Sequence, residues 1–359
     1  MKKILCLIDG LGFGGAQRQI IGLTQYLQEK GYQVTLASYH KRDFYNDLLN
    51  RLNIKYYLIE TSSKWSKLLS VRKFIKNGNY DVVITYQDGP NLIGCILKLS
   101  GLKYKLIVSE RITSQQVGKK ERIKFNIYRI ADYIVPNSFS QEKFIKSNFS
   151  FLANKTHPIT NYTDTGYFTQ LEREEIHTMR RILIAGRISK QKNLPTFLDA
   201  VKILKDKHVP VEISWFGNVG VGMKEYHEEV IKKYNSLELG DYLHFYPGTS
   251  NIKDEYLASD CFCLPSLYEG FPNVVCEAMS CGKPILCSDV CDNPHLVRDG
   301  ENGFLFNPKS SEDMAAAIMK FCDLDTEEII RMGECSRKRV VELCSTETFV
   351  QKYIKLIEE

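Results

Sequence analysis

The sequence predicts an α/β protein made of two doubly wound domains in tandem. Apolar runs of four to six residues recur without polar alternation, as strands buried on both faces of a parallel sheet require. Amphipathic segments of helical length separate them. The rhythm stops once, at a polar, non-periodic stretch from Tyr162 to Thr178, and then restarts. A chain of 359 residues is long for a single core, so a second domain is the natural reading.

In order along the chain, Lys3–Asp9 reads as a strand and Ala16–Lys30 as a helix closed by Gly31. Gln33–Ser38, Tyr80–Tyr86, Lys105–Ser109 and Tyr133–Asn137 read as further strands, with Asn91–Leu99 helical. The second series starts with the strand Arg181–Ala185 and the helix Thr196–Lys207. Strands follow at Val211–Phe216, Leu243–Tyr246, Cys261–Leu264 and Ile285–Ser288. Between and after them, Asp254–Ser259, Val274–Cys281 (stopped by Gly282) and Ser311–Leu324 read as helices. A last amphipathic helix covers Thr346–Glu359. The expected division is 1–165, 178–345 and the terminal helix 346–359.

Composition fits an ordinary globular protein, with 43% hydrophobic and 25% charged residues. The opening apolar run, Ile4–Ile8, ends at Asp9. It is shorter than the about 7–15 residues of a secretory core segment, and no stretch reaches the ~20 apolar residues that span a bilayer. The expectation is a cytoplasmic protein, at most peripheral on the inner face of the membrane. Eleven cysteines without a CxxC pair read as reduced thiols, with no metal site. The net charge of +5 hides a polarity: residues 1–160 carry 25 Lys and Arg against 11 Asp and Glu, residues 161–359 carry 23 against 32. The first half is therefore expected to meet something anionic.

Gly10-Leu11-Gly12-Phe13-Gly14-Gly15 fits a GxGxxG loop between a strand and a helix. A dinucleotide site would also want a carboxylate about 20 residues on. The second strand ends instead in Ser38-Tyr39-His40-Lys41-Arg42, so only an NADP-type dehydrogenase stays open as an alternative. Otherwise the glycines bring backbone N–H groups and a helix start close to some other anion, or form a plain tight turn.

The second half holds a denser constellation. Gly186-Arg187-Ile188-Ser189-Lys190-Gln191-Lys192-Asn193 follows the strand Arg181–Ala185, at the strand end where open α/β sheets bind ligands. Arg187 and Lys192 suit a diphosphate. Glu269-Gly270-Phe271-Pro272-Asn273-Val274-Val275-Cys276-Glu277 follows Cys261–Leu264 and enters a helix with Asn273 as the expected N-cap. Glu277 lies a turn inside that helix and Glu269 before it, which suits two recognition tasks better than a hydrolytic carboxylate pair. Gly217 and Gly248 each end a strand at one edge and offer backbone groups to a nucleobase. Ser288–Pro294 ends another strand with no feature beyond a turn.

Together these residues resemble the retaining glycosyltransferases of GT-B fold, family 4 type, also called glycosyl transferases group 1. The resemblance rests on Pro265–Val274, Glu277-Ala278-Met279 and Gly282-Lys283-Pro284, on Asp299–Phe304, on Arg187 with Lys192, and on Gly14-Gly15-Ala16. It implies two Rossmann-like domains facing across a cleft, with the last helix crossing back to the N-terminal one. It further implies that Arg187 and Lys192 hold the donor diphosphate, Glu277 the ribose, and Glu269 with Gly270, Phe271, Pro272, Asn273 and Val274 the transferred sugar. Gly14 and Gly15 would meet the diphosphate from the N-terminal domain. Many members carry a histidine where this chain has Ser109-Glu110-Arg111. Glu110 and Arg111 stand as candidates for acceptor or sugar contact, or for a structural ion pair.

The implied reaction moves a hexose or N-acetylhexosamine from a nucleotide sugar, UDP ahead of GDP, to a glycan or lipid-linked acceptor on the N-terminal domain. No cofactor is expected, and no metal, since no DxD pair stands at a plausible site. Lys64–Lys76, with Trp65 at its start, reads as a basic amphipathic helix for an anionic membrane surface, or as a solvated helix. Nucleic acid is not expected, because aromatic residues do not interleave with the basic ones. A non-catalytic nucleotide-sugar-binding protein is the other alternative.

Overall fold

The computed structural model describes residues 2–12, 14–42, 44–111, 113–114, 116–169 and 176–359. The chain divides into two compact units: residues up to Tyr162 together with Thr346–Glu359, and Thr163–Ser345.

The first unit is a six-stranded parallel sheet of β1 (Lys3–Leu7), β2 (Gln33–Ser38), β3 (Tyr56–Leu58), β4 (Val82–Tyr86), β5 (Lys105–Glu110) and β6 (Tyr133–Pro136). Its order is β3-β2-β1-β4-β5-β6, with Cys6 level with Leu36 on one side and Ile84 on the other. Ile4 to Leu7 are all fully buried, which is why β1 carries no polar alternation. The terminal helix Thr346–Glu358 buries Phe349, Val350, Tyr353, Leu356 and Ile357 in the core that holds Ile4, Cys6 and Ile20. Lys2 fastens its end by donating to the Ile357 carbonyl at 2.7 Å.

The second unit repeats the plan with β7 (Arg180–Ala185), β8 (Val211–Phe216), β9 (Leu243–Tyr246), β10 (Cys261–Leu264), β11 (Ile285–Ser288) and β12 (Gly303–Phe306). The order is β12-β11-β10-β7-β8-β9, again all parallel. Gly303 is required here. A Cβ on it would stand 1.8 Å from the Ile285 carbonyl oxygen, so only glycine lets β12 close on β11.

Part of the polar stretch read as a linker is docked. Thr163 N donates to Cys344 O at 2.8 Å, Phe168 is buried, and Arg337 donates to the carbonyls of Thr165, Phe168 and Ser280. Its run of Glu and Arg falls in 170–175, outside the described residues. All eleven cysteines are free thiols. Among the described residues no helix is long and apolar enough to cross a membrane, and no group of three or more His, Cys, Asp or Glu could hold a metal ion.

In each sheet the chain reverses direction beside its first strand, between β1 and β4 and between β7 and β10. Such switch points open a crevice at the carboxyl ends of the strands. In the second unit it lies between the loops that follow β7 and β10.

Candidate active site

The loop after β7 is shaped by its neighbour after β8. Gly186 N donates to Phe216 O at 2.9 Å, and the Trp215 indole donates to Gly186 O at 2.9 Å. Ile188 N donates to Asn218 O at 3.0 Å. Gly217 packs against this loop so closely that a Cβ would lie 2.0 Å from Gly186 O. Its glycine is thus a packing requirement, whatever else its backbone does. Gly248 N donates to the Asn218 side chain at 3.1 Å, and the Phe216 and Tyr246 rings stack at 4.8 Å beside it.

The same loop is laced to the one after β10. Lys192 Nζ lies 2.7 Å from Glu269 Oε1, and Gln191 donates to Glu269 Oε2 at 3.3 Å and to Tyr268 O at 2.9 Å. Leu267 N donates back to Gln191 O at 2.9 Å. Asn193, left-handed at φ 59° and buried, donates to the carbonyls of Pro265 and Pro308. It pins the start of the helix Leu194–Asp206 to the end of β10. Arg187 is exposed and makes no hydrogen bond or ion pair among the described residues. The crevice therefore presents one cation paired with a carboxylate and one uncommitted guanidinium.

Asn273 is not the N-cap. The helix runs Asn273–Ser280, so Asn273 is its first residue and Pro272 takes the cap position without a side-chain cap. Proline fixes its own φ and has no N–H to lose there, which makes the chain turn one residue earlier than an Asn cap would. Glu277 is nearly buried in this helix, and Tyr256 donates to its Oε2 at 3.2 Å. Burial, then the Glu277 charge, raises the Tyr256 hydroxyl well above its usual range, so it stays a donor. Cys291, at φ 51°, turns its sulfur to the Glu269 N–H at 3.5 Å. Gln191, Asn193 and Cys291 are thus parts of the site that spacing did not single out. A signal existed for Asn193 alone, the Pro195 at the second helical position.

Two family models match the chain: "Glycosyltransferase Family 4" over residues 13–167 and "Glycosyl transferases group 1" over 169–339. The chain is a family 4 type glycosyltransferase. Among its relatives is the amylovoran biosynthesis glycosyltransferase AmsD of Erwinia amylovora, 26% identical over 89% of each chain. Another, from Campylobacter jejuni, is an N-acetylgalactosamine-N,N'-diacetylbacillosaminyl-diphospho-undecaprenol 4-alpha-N-acetylgalactosaminyltransferase, 28% identical over 90% of this chain and 91% of that one. Anabaena HepE, solved in complex with UDP, superposes with a TM-score of 0.86 over 99% of both chains at 20% identity, which shows the GT-B fold.

This assignment does not favour the dehydrogenase reading of Gly10–Gly15. Gly10 is packed against the chain that follows β2: a Cβ there would meet His40 O at 3.0 Å and Arg42 Cγ at 3.1 Å. Gly14 and Gly15 open the helix Gly15–Glu29, with Gly14 at the cap; Phe13 lies outside the described residues.

Ser109 and Glu110 end β5 in the first unit, and Arg111 follows it. Glu110 is fully buried, with Lys124 Nζ 2.7 Å from its Oε2. Lys124 also lies 3.3 Å from Asp88 Oδ1, and Lys120 is 3.3 Å from Asp88 Oδ2. Glu110 therefore forms an ion pair and does not reach solvent. Arg111 points elsewhere. Its guanidinium stacks 4.6 Å over the Tyr86 ring and donates to Asn161 Oδ1 and, at 3.4 Å, to Ser109 Oγ. Tyr86 and Tyr353 share a hydroxyl hydrogen bond of 3.0 Å behind it.

Burial pushes the Glu110 carboxyl up to about 7; Lys124 opposes this and Asp88 adds to it. The folded carboxyl thus takes up its proton above the unfolded value of 4.5. Its stabilising contribution is complete below that value and is lost as the pH rises through about 7. Relative to Glu110→Gln, the wild-type melting temperature should fall across this window and then level off. A parallel course of the two proteins would contradict the assignment.

Proposed function

We propose that this glycosyltransferase moves a hexose or N-acetylhexosamine from a UDP-sugar to a lipid-linked glycan, with retention at the anomeric carbon. The product would enter a cell-surface polysaccharide, lipopolysaccharide or glycoprotein glycan. The observation that carries this reading is the Lys192–Glu269 pair at the β7–β10 switch point, beside the uncommitted Arg187.

Breaking the bond from anomeric carbon to diphosphate leaves positive charge on the sugar and negative charge on the departing phosphate. Arg187 and Lys192 stabilise that phosphate, as fixed cations aimed at developing charge do. The reading thus calls for no divalent ion and no cofactor. Glu269, steadied by Lys192 and Gln191, accepts hydrogen bonds from the sugar, and the main chain at Gly270, Phe271 and Val274 offers N–H groups at a helix start. Glu277, oriented by Tyr256, accepts from the ribose hydroxyls. The backbone at Gly217 and Gly248 lies by the base. Retention follows when the acceptor attacks on the face the diphosphate leaves, its oxygen taking the acceptor proton.

The lipid-linked acceptor is supported by relatives such as the Campylobacter jejuni enzyme named for a diphospho-undecaprenol substrate. UDP as the nucleotide is supported by the HepE complex. The acceptor belongs to the first unit, where the positive charge collects. On its helix Lys64–Gly78, Val71 and Ile75 are buried while Trp65 is 80% and Leu69 67% exposed. Trp65, Leu69, Lys73 and Lys76 recur at i, i+4, i+8 and i+11, so they share the outer face. An apolar stripe edged with lysines suits an anionic bilayer. Changing Trp65 and Leu69 to serine should weaken co-sedimentation with phosphatidylglycerol vesicles on the order of tenfold. An unchanged bound fraction would leave this helix as a solvated one.

The test of the function is direct: the full chain, UDP-sugars, and a polyprenyl-diphosphate glycan in vesicles, with the new linkage read by NMR. An α-linked product from an α-linked donor is expected. Inversion would overturn the retaining mechanism, and UDP binding without transfer to any acceptor would mark a non-catalytic binder.

A further inference from the structure

The first sheet has a switch point of its own, between β1 and β4. Three side chains stand there at the carboxyl ends of adjoining strands: Asp9 beyond β1, Gln87 directly after β4 and Tyr39 directly after β2. With its amide nitrogen facing the carboxylate, Gln87 donates to Asp9 Oδ1 at 2.5 Å and to Oδ2 at 3.2 Å. Asp9 is half-buried and forms no ion pair among the described residues. Tyr39 is only 5% exposed, and Lys67 Nζ sits 4.5 Å over its ring. Its hydroxyl points to the start of the helix Asp88–Leu99, where a Cβ on Gly89 would stand 2.8 Å from it. That hydroxyl has no hydrogen-bond partner among the described residues. Burial, then the Asp9 charge, raises it well above its usual range, so it keeps its proton.

Gln87 is also strained. It is held at φ 77° and ψ 160°, a conformation that essentially only glycine adopts freely. Glycine would be the relaxed residue for this entry into the helix. A glutamine there supplies what glycine cannot, the amide that fixes Asp9. We infer that Asp9, Gln87 and Tyr39 form a hydroxyl-binding subsite for the terminal sugar of the acceptor glycan. Asp9 and Tyr39 touch the sugar, and Gln87 positions Asp9. This rests on the glycosyl-transfer reading above and names the part of the acceptor that the first unit recognises.

The donor and acceptor capacity of the three groups decides what they take. A carboxylate offers about four lone-pair directions, and the Gln87 amide leaves part of them open to O–H donors. Tyr39 adds an O–H that both gives and accepts a hydrogen bond. Neighbouring hydroxyls on a sugar ring match this set. A phosphate does not, because Asp9 carries a negative charge with no cation paired to it. The sugar end of the acceptor therefore belongs at this crevice, and its diphosphate lies elsewhere. A nearly buried hydroxyl without a protein partner is unfavourable, and a ligand hydroxyl supplies the missing one. The donor makes no claim on these groups, since its cations and glutamates all stand in the second unit.

The experiment uses the full chain, a UDP-sugar and a polyprenyl-diphosphate glycan in vesicles, and follows acceptor KM, donor KM and kcat. The glycan is used intact and with each non-reacting hydroxyl of its terminal sugar replaced in turn by hydrogen. Asp9→Asn should raise acceptor KM about tenfold to a hundredfold, the loss expected for charge-assisted hydrogen bonds, with donor KM level. In wild type at least one deoxy acceptor should suffer a similar loss. In Asp9→Asn that acceptor should be no worse than the intact one, because the partner of the missing hydroxyl is already gone. Tyr39→Phe keeps the ring, should raise acceptor KM several-fold, and serves if Asp9→Asn fails to fold. Gln87→Ala should raise acceptor KM in wild type and add little in Asp9→Asn, as a residue acting through Asp9 must. No deoxy penalty in wild type, a penalty kept in full by both Asp9→Asn and Tyr39→Phe, or an equal rise in donor KM would overturn the inference while leaving sugar transfer intact. Absence of transfer to every diphosphate-linked acceptor would instead overturn the functional reading, and this inference with it.

Discussion

Replacing Lys192 by methionine is expected to lower kcat for sugar transfer by about a hundredfold to a thousandfold, the range seen when one preorganised charge-stabilising donor is removed. Two losses combine. On the proposed reading the departing diphosphate loses a fixed cation, and Glu269, only 7% exposed, loses the ammonium 2.7 Å from its Oε1. A carboxylate left unpaired in a mostly closed site is itself unfavourable. Glu269→Gln in the Lys192→Met background should therefore cost less than Glu269→Gln alone, a coupling that a double-mutant cycle reads directly. Lys192→Arg should recover part of the rate, since the charge returns with a different reach. Steady-state rates at saturating donor check all three. Wild-type turnover in Lys192→Met would show that the pair is only a loop tie.

Gly217→Ala is expected to be the most damaging single change of one methyl near the site. The added Cβ would lie 2.0 Å from Gly186 O, 2.6 Å from Gly186 C and 3.3 Å from Arg187 N. All three are backbone atoms, so no side chain can swing aside. The Gly186–Arg187 peptide must move, and with it the hydrogen bonds from Trp215 to Gly186 O and from Gly186 to Phe216 O. A cost of about 3 kcal/mol fits forced overpacking against backbone. For a unit of this size that is roughly 6–12 °C in melting temperature. UDP affinity should drop as well, because Arg187 is carried on the displaced peptide. A melting curve superimposable on wild type would mean that the two loops separate freely.

The two tandem sheets are legible in the sequence because their central strands are buried on both faces. Cys261–Leu264 and Ile285–Ser288, buried throughout, keep the bounds that their apolar runs suggest, and so do the partly buried Gln33–Ser38, Val211–Phe216 and the edge strand Leu243–Tyr246. What burial does not touch stays hidden. The helix Lys224–Ser236 buries Val230 alone, so no apolar period marks it. The edge strand Tyr56–Leu58 has three residues and one neighbour.

The candidate site divides in the same way. Its loops are contiguous in sequence, so Gly186–Asn193 and Glu269–Glu277 stand out as wholes. Their lacing is not contiguous: Lys192 meets Glu269 across 77 residues, and Asn193 meets Pro308 across 115. Lys124 is the plainest case. In the sequence it is one of several basic residues in Lys119–Lys124, yet its ammonium is buried against Glu110 and Asp88 while Lys120 stays on the surface. Periodicity cannot tell those two lysines apart; only the position of β5 beneath the helix does.

The most direct test of the account is the melting temperature of the full chain with UDP, GDP, ADP, CDP or NADPH, in buffer without divalent metal. A ligand that binds the folded state at a hundred times its Kd adds about 2.7 kcal/mol. The account predicts that UDP raises the melting temperature, and that Arg187→Ala and Glu277→Ala each abolish most of the rise, measured against the same variant without ligand. Stabilisation by NADPH only, or by UDP to the same extent in both variants, would contradict a donor site at the β7–β10 switch point.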